Sequence, residues 1–317
     1  MYEPLVSIVI PVYNGSNYMQ EAIESALNQT YPHVEVIVVN DGSNDDGETD
    51  RVAKSYGEKI RYYKKDNGGS SSAINYGISK MSGEWFSWLS HDDLYVPEKI
   101  EKQIAYMESI QLDISEISKH IFFSASELIN ANKKTIRAFN QRKSKILAEE
   151  IDSFSHNGYL IAEPRKYNFY GCSCLVHRSA FDEVGGFNEN FRLLNDLDMW
   201  FRLYAADYKV HYISEPLVKG RIHAKQVSKS IGFSCHNPEQ DLFCSRSLNW
   251  LLENHSEEEF LFRFARNMYL STRYEDGDRA ISYIKISPLQ KKICKFVFKS
   301  YAEMRILAKN LYIKLKI

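Results

Sequence analysis

The chain has 317 residues, of which 44% are hydrophobic and 26% charged, with a formal net charge of −1. That length accommodates one large α/β domain with an appendage or two modest domains, and the balanced charge argues against a general nucleic-acid-binding surface. No apolar run approaches the ~20 residues that cross a bilayer, and Met1 to Pro4 leads directly into a strand rather than a secretory leader, so a cytoplasmic protein is expected. Cys172, Cys174, Cys235, Cys244 and Cys294 form no CxxC pair and no zinc pattern; an odd count without a disulfide framework fits a reducing compartment. The 21 Tyr and 17 Phe suit either carbohydrate stacking or an ordinary aromatic core.

In chain order, the β-branched run Ser7 to Tyr13 predicts a first strand, and Asn14-Gly15-Ser16 turns into a helical pattern through Ala22, Ile23, Ala26 and Leu27. Glu35 to Asn40 predicts a second buried strand, stopped by Asp41-Gly42-Ser43, and Ile60 to Tyr63 a weaker third. Asp66-Asn67-Gly68-Gly69-Ser70 then turns into a helix carrying Ala73, Ile74 and Ile78, and Trp85 to Leu89 returns as a strand. This alternation predicts a parallel sheet with crossover helices, which gathers the loops at Asn14, Asp41, Asn67 and Asp92 along one edge. No GxGxxG follows the first strand, which argues against a dinucleotide-binding unit. The irregular stretch 111–168 reads as an insertion partly covering the site. Beyond it lie a strand at Gly171 to Val176, Gly185-Gly186-Phe187, and a helix from about Asp196 to Ala206; Asn237 to Tyr283 reads as helical. The expected organisation is a catalytic domain over 1–230 and a helical region over 231–317.

The strand Trp85 to Leu89 ends in Ser90-His91-Asp92-Asp93, with Pro97 opening a helix. Open α/β sheets place their ligands at such strand ends. Adjacent carboxylates repel unless a cation joins them, and a hard divalent ion that also holds a diphosphate would make this a site for nucleotide chemistry. An Asp-Asp pair equally suits a solvated loop that caps a helix.

Three motifs, taken in order, resemble those of the inverting glycosyltransferases of family 2, of the bacterial surface or capsular polysaccharide type. They are Ser7-Ile8-Val9-Ile10-Pro11-Val12-Tyr13-Asn14 with Val39-Asn40-Asp41-Gly42-Ser43; the Leu89-Ser90-His91-Asp92-Asp93 strand end, similar to the DxD motif; and Gly185-Gly186-Phe187 followed by Asn195-Asp196-Leu197-Asp198-Met199-Trp200, similar to the acidic catalytic motif. The resemblance implies an α/β GT-A fold, with a mostly parallel central sheet flanked by helices and a C-terminal helical extension. It implies transfer of a sugar, with inversion, from a nucleotide-diphospho-sugar (UDP-linked) to a saccharide or lipid-linked glycan, with Mn²⁺ or Mg²⁺ as cofactor. Pro11, Tyr13 and Asn14 would line the nucleoside pocket, Asp41 would accept a hydrogen bond from base or ribose, and Asn67-Gly68 would bring backbone close to the nucleotide. Asp92 would hold the metal, with Ser90, His91 and Asp93 beside it. Arg221-Ile222-His223 resembles a late motif that approaches the diphosphate or metal, making His223 a second candidate ligand. Asp196 would be the base, with Asn195, Asp198 and Trp200 on the acceptor side. The remaining histidines (His120, His156, His177, His211, His236, His255) read as structural.

The sequence departs from that pattern at Ser90, where DxD has its first Asp, at Asn195, where an acid usually precedes the base, and at Asn40. Ser90 and Asn195 keep open a catalytically degenerate, carbohydrate-binding partner subunit. A sugar nucleotidyltransferase would want a Gly-rich, basic loop after the first strand, whereas Asn14 to Tyr18 has one Gly and no base.

The C-terminal segment is charge-segregated. Lys285 to Ile317 holds nine Lys/Arg and one Glu, a formal +8, which leaves −9 for the rest. Leu289, Ile293, Phe296, Val297, Met304, Leu307, Leu311 and Leu315 recur at helical spacing as one apolar stripe. Lys291, Lys292, Lys295, Lys299, Arg305, Lys309 and Lys316 fall mainly on the other side, interrupted by Phe298, Ile306 and Ile313. Two readings follow: a helix packed on its own domain or on a second subunit, or a helix lying on the anionic inner face of a membrane, where each Lys/Arg contributes about 1 kcal/mol.

Overall fold

A computed structural model describes residues 2–137, 139–224, 226, 237–255 and 257–315, without the side chains of Arg137 and of residues beyond 308. Cys235, His236 and Lys316, and the side chains of Lys309, Leu311, Ile313 and Leu315, lie outside the described residues. The chain divides into two compact units: Met1–Ser155 with Phe169–Ser230, and His156–Asn168 with Ile231–Ile317.

The first unit is built on a sheet that has nine strands among the described residues. In chain order these are β1 (Val6–Val12), β2 (Val34–Asp41), β3 (Arg61–Lys65), β4 (Trp85–Trp88), β5 (Leu94–Tyr95), β6 (His120–Asn130), β7 (Thr135–Arg137), β8 (Leu175–His177) and β9 (Lys209–Ile222). Their spatial order is β3-β2-β1-β4-β8-β6-β9-β5, with β7 beside β6. The first four strands are parallel, as the alternation predicts. Beyond β4 the sheet is mixed: β8 runs antiparallel to both its neighbours, β6 and β9 are parallel, and β5 reverses against β9.

Parallel strands covered on both faces read as continuous apolar runs, and every residue of β1 is buried. On one face Val6, Ile8, Ile10 and Val12 share a core with Met19, Ala22, Ile23 and Ala26 of helix α1 (Met19–Leu27). After α2 (Glu48–Lys54), helix α3 (Ser70–Lys80) covers the other face. A Cβ at Gly77 of α3 would meet Val9 Cγ1 at 2.3 Å, so a glycine is what lets this helix approach β1. Helix α4 (Lys99–Ser109) adds Ile100, Ile104 and Met107 to the first face.

The expectation for 111–168 is corrected. Far from irregular, the stretch contains α5 (Ile114–Ile117), β6, β7, α6 (Gln141–Asp152) and α7 (Gly158–Ala162), and β6 pairs with β9 along its whole length. Ser124 and Ser126 interrupt its apolar alternation, which hides the strand from periodicity, yet Ser124 is buried within the sheet. Gly171–Ser173 coils into a 3-10 turn before β8, so that strand is shorter than its apolar run suggests. Helices α8 (Ser179–Val184) and α9 (Asn195–Ala205) complete the unit.

The second unit comprises α7, α10 (Pro238–Asn254), α11 (Glu258–Leu270), α12 (Tyr274–Tyr283) and α13 (Pro288–Leu315). Phe243, Leu248, Leu251, Phe260, Leu261, Phe264, Met268 and Ile281 are buried in it. The buried Glu163 carboxylate pairs with both Arg263 and Arg266 of α11. Among the described residues no helix is long and apolar enough to cross a membrane.

Lys99 is fully buried at the start of α4. Its Nζ donates to Ser87 Oγ (2.7 Å), Gln103 Oε1 (2.8 Å) and Cys174 O (3.3 Å), and lies 4.2 Å from the centre of the Tyr95 ring. These acceptors are uncharged, so burial dominates and lowers the ammonium to about 7. The unfolded chain, with a lysine near 10.4, binds the proton that the folded chain has lost, so stability should rise with pH between about 7 and 10. Urea melts across that window should show this rise in the native protein and a flatter dependence in Lys99→Met.

Candidate active site

The C-terminal ends of β1 and β2 are tied together by Asn14, which sits in the left-handed region at φ 48°. Asn tolerates that conformation because its short side chain bonds locally. Its N–H donates to Ser43 Oγ (2.9 Å), its Nδ2 donates to Asn44 Oδ1 (2.7 Å), and its Oδ1 accepts from Asn44 N (2.9 Å). Pro11 is buried opposite Val39, while the Tyr13 ring stands 45% exposed at the strand end.

Asp41 closes β2 and organises the following loop. One carboxylate oxygen accepts from Lys65 Nζ (2.9 Å) and Gly68 N (3.0 Å), the other from Gly69 N (2.7 Å). Asn67 Nδ2 donates to the Asp41 carbonyl at 2.8 Å. Gly42, at φ 68°, has no room for a side chain, since a Cβ would lie 2.6 Å from Asn67 N. Asp41, Asn67 and Gly68 therefore come together as expected of one loop cluster, but Asp41 enters it already accepting three hydrogen bonds.

The loop after β4 separates its two carboxylates by environment. Asp93 is 1% exposed; Oδ1 accepts from Arg221 N (2.8 Å), and Oδ2 accepts from Tyr170 OH (2.5 Å) and the Cys172 thiol (3.2 Å). Burial, and then the charge of Asp92, push Asp93 up to about 7 against the pull of those donors. Ser90 faces the same thiol, with its N–H 3.2 Å from Cys172 Sγ and its hydroxyl oxygen 3.3 Å from it. Ser90 and Asp93 thus anchor the loop from beneath. Asp92 instead places Oδ2 2.9 Å from His223 Nε2, with Gln226 Nε2 donating to it at 3.4 Å; the two side chains remain 12% and 11% exposed. His91 packs on Gly15, where a Cβ would meet its ring at 2.5 Å, and burial holds its imidazole below the ordinary range.

Arg221, expected from its motif to approach the diphosphate or metal, is engaged by protein groups. In its guanidinium Nη2 donates to Glu21 Oε2 (2.6 Å), Nη1 to Ala131 O (2.9 Å) and Nε to Asp92 O (2.7 Å). The fork lies 4.5 Å from the centre of the Tyr18 ring, whose other neighbour is the His223 ring at 4.9 Å. Arg221 is 1% exposed and joins α1, the β4 loop and the β6–β7 turn, which sets where Asp92 and His223 stand.

On α9 the acidic residues also divide. Asp198 accepts from Arg202 Nε (2.9 Å), whose Nη groups donate to Val184 O (2.6 Å) and Gly186 O (2.9 Å), fixing the Gly185-Gly186 turn. Trp200 is fully buried, donates to Phe169 O (3.2 Å) and packs edge-on against Phe123. Both side chains, expected on the acceptor side, are buried and engaged by protein groups. Asp196, in the first helical turn, accepts Leu197 N at 2.7 Å through Oδ1, and burial pushes its carboxyl up to about 6. Asn195, 6% exposed, buries an Nδ2 that has no hydrogen-bond partner among the described residues.

Glu21, Tyr18, Tyr170, Cys172 and Gln226 were not singled out as site residues by the sequence, because each acts through a partner distant in the chain. Among the described residues no group of three or more His, Cys, Asp or Glu could enclose a metal ion. Asp92 and His223 do fit two positions of a Mg²⁺ or Mn²⁺ sphere, since a carboxylate oxygen and an imidazole nitrogen converge and diphosphate oxygens and waters ordinarily supply the rest.

The profile of glycosyl transferase family 2 matches residues 7–185, and the chain belongs to that family. An uncharacterized glycosyltransferase of Rickettsia conorii is 44% identical over 253 residues, 80% of this chain but 39% of the relative, so the chain spans about two fifths of that protein. Among solved structures, S. aureus TarS in complex with UDP-GlcNAc superposes with a TM-score of 0.63 at 14% identity, covering 96% of this chain and 92% of that one. Mannosyltransferase PcManGT from Pyrobaculum calidifontis, in complex with GDP-Man and Mn²⁺, gives 0.52 at 15% identity over 99% and 81%. Family and likeness together show the GT-A fold.

The placement of Arg221 has a measurable consequence. Removing one partner of a buried ion pair costs about 3 kcal/mol, whereas truncating a surface, ligand-facing arginine changes stability by less than about 0.5 kcal/mol. Arg221→Ala should lower the urea-unfolding free energy by the larger amount even without any nucleotide present.

Proposed function

We propose that this family 2 glycosyltransferase transfers a sugar from a nucleotide-diphospho-sugar, UDP-linked, to a saccharide or lipid-linked glycan, with inversion and metal dependence, in surface polysaccharide synthesis. The observation that carries the reading is the sorting of the carboxylates: of those in the motifs, Asp92 and Asp196 stay partly exposed while Asp41, Asp93 and Asp198 are buried and bound into the scaffold. The exposed Tyr13 ring, Pro11 and Asn14 would bind the nucleoside, with Asn67-Gly68 backbone beside it and Asp41 accepting from base or ribose. Asp92 and His223 would hold Mn²⁺ or Mg²⁺, which when bound supplies Lewis-acid neutralisation of the departing diphosphate.

Asp196 would take the proton of the acceptor hydroxyl as that oxygen attacks the anomeric carbon, on Oδ2, since Oδ1 is held by Leu197 N–H. A carboxyl near 6 is ionised at neutral pH yet basic enough to accept a proton. The unpartnered Asn195 Nδ2 would donate to a sugar oxygen, which a buried amide left alone otherwise lacks. Attack opposite the leaving diphosphate inverts the anomeric centre. The neighbour TarS was solved with UDP-GlcNAc, which supports a UDP-linked donor. A nucleotide-sugar donor would suit a cytoplasmic enzyme, with any attachment to a membrane or to a second copy falling to the C-terminal helix. Ser90 and Asn195 favour, as a second reading, a degenerate carbohydrate-binding subunit, which would show neither transfer nor donor hydrolysis with Mn²⁺.

Asp92→Ala should abolish the Mn²⁺-dependent part of the thermal shift produced by nucleotide sugars, together with turnover; near-native turnover with an unchanged metal requirement would remove Asp92 from the mechanism. Asp196→Asn should leave donor affinity nearly unchanged and reduce transfer by roughly 10²–10⁴. In the native enzyme kcat/KM should fall below about pH 6 as Asp196 protonates, and NMR of the product should show the anomeric configuration opposite to the donor's. Collapse of donor binding in Asp196→Asn would instead assign the residue to the nucleotide site.

A further inference from the structure

The 28-residue helix α13 uses one face to join its unit. Phe298 packs on the Tyr269 ring of α11 (5.8 Å between centres), Ala302 is 2% exposed, Lys295 pairs with Asp278 of α12 (3.1 Å), and Lys291 Nζ donates to Ser282 O (2.7 Å). At ~100° per residue these positions lie on one side of the helix. The opposite side is apolar and open. Phe296 is 72% exposed, Leu289 68%, and Met304 and Leu307 63% each, with Ile293 and Val297 also exposed between them. These six side chains fall within a sector of about 100° that faces away from α11 and α12. Exposed cations stand beside it: Lys292 and Lys299 near one edge, the latter 5.5 Å from the Tyr274 ring, and Arg305 farther round beyond the other edge, in a segment whose formal charge is +8.

We propose that this face docks on the anionic surface of a lipid bilayer, with Leu289, Ile293, Phe296, Val297, Met304 and Leu307 entering the headgroup–acyl boundary. The surface lies outside the candidate active site and does not depend on the reaction assigned there. Charge selects the occupant. A second copy meeting this stripe face to face would bring two +8 segments together, whereas acidic headgroups bury the same apolar sector and attract the flanking cations. The one acid of the segment, Glu303, leaves that balance strongly positive.

The test uses the full chain, sedimented with vesicles of phosphatidylcholine alone or mixed with phosphatidylglycerol, at low and at about physiological salt. The native protein should bind the anionic vesicles at least tenfold better than the neutral ones, with the advantage shrinking as salt screens it. Phe296→Ser combined with Leu307→Ser removes two apolar contacts from exposed positions. It should weaken vesicle binding roughly tenfold or more, with the thermal melt and donor turnover unchanged. Lys292→Glu with Arg305→Glu should abolish the preference for anionic lipid. Equal sedimentation of the native protein with both vesicle types, equal binding by the Phe296/Leu307 variant, or a native dimer in analytical ultracentrifugation that this variant dissociates would each overturn the proposal, the last assigning the face to a second copy.

Discussion

The guanidinium of Arg221 is the joint on which the candidate site depends. Taking a guanidinium out of water is tolerable only when its donors are satisfied, and here they reach Glu21 on α1, the carbonyl of Asp92 and the carbonyl of Ala131. Because the fork is planar and rigid, satisfying it fixes those three groups relative to the end of β9. The backbone of Arg221 contributes as well, since its N–H is one of the donors on the buried Asp93 carboxylate. Asp92 lies between these two anchors, and His223 stands two residues beyond the arginine, its ring tilted against the same tyrosine that the guanidinium covers. The 2.9 Å approach of Asp92 and His223 is therefore a consequence of a buried ionic network rather than of the two residues themselves.

Five aspartates of the site motifs illustrate how one side chain takes different tasks. Asp41 and Asp198 are held by a cation each, and Asp41 also by loop amides, so their work is to fix a loop and a glycine turn. Asp93 is buried among a phenol, a thiol and an amide; burial, and then the adjacent Asp92 charge, raise its carboxyl against the pull of those donors. Among the described residues Asp196 accepts only from backbone N–H groups, and burial rather than a rival charge raises its carboxyl. Of the five, Asp92 and Asp196 keep partial exposure while Asp41, Asp93 and Asp198 are buried, and environments that push like groups apart are how one fold assigns different chemistry to them.

How much was legible follows from what each signal requires. Strands β1, β2 and β4 were plain because both their faces are covered, which demands unbroken apolar runs. Strand β6 was not, because two serines, one of them buried, sit in its middle and its partners β8 and β9 arrive more than forty residues later. The motif positions at Asn14, Asp41, Asn67 and Asp92 were readable as loops of one sheet edge, since parallel strands can end nowhere else together. The helical character and apolar stripe of α13 were readable as well, being a matter of spacing alone.

By itself, then, the sequence determined the alternation of elements, the sheet edge that gathers the motif loops, the acidic residues available there and the two-faced character of the C-terminal helix. All of these follow from local periodicity and residue type. Only the tertiary structure decided that Arg221 turns inward to Glu21, that Asp198 and Trp200 are bound into the scaffold, that Asn195 buries an Nδ2 with no partner among the described residues, and that the apolar side of α13 is exposed. Those outcomes depend on which groups distant in the chain compete for the same donor, acceptor or cavity, and that competition exists only once the chain has folded around them.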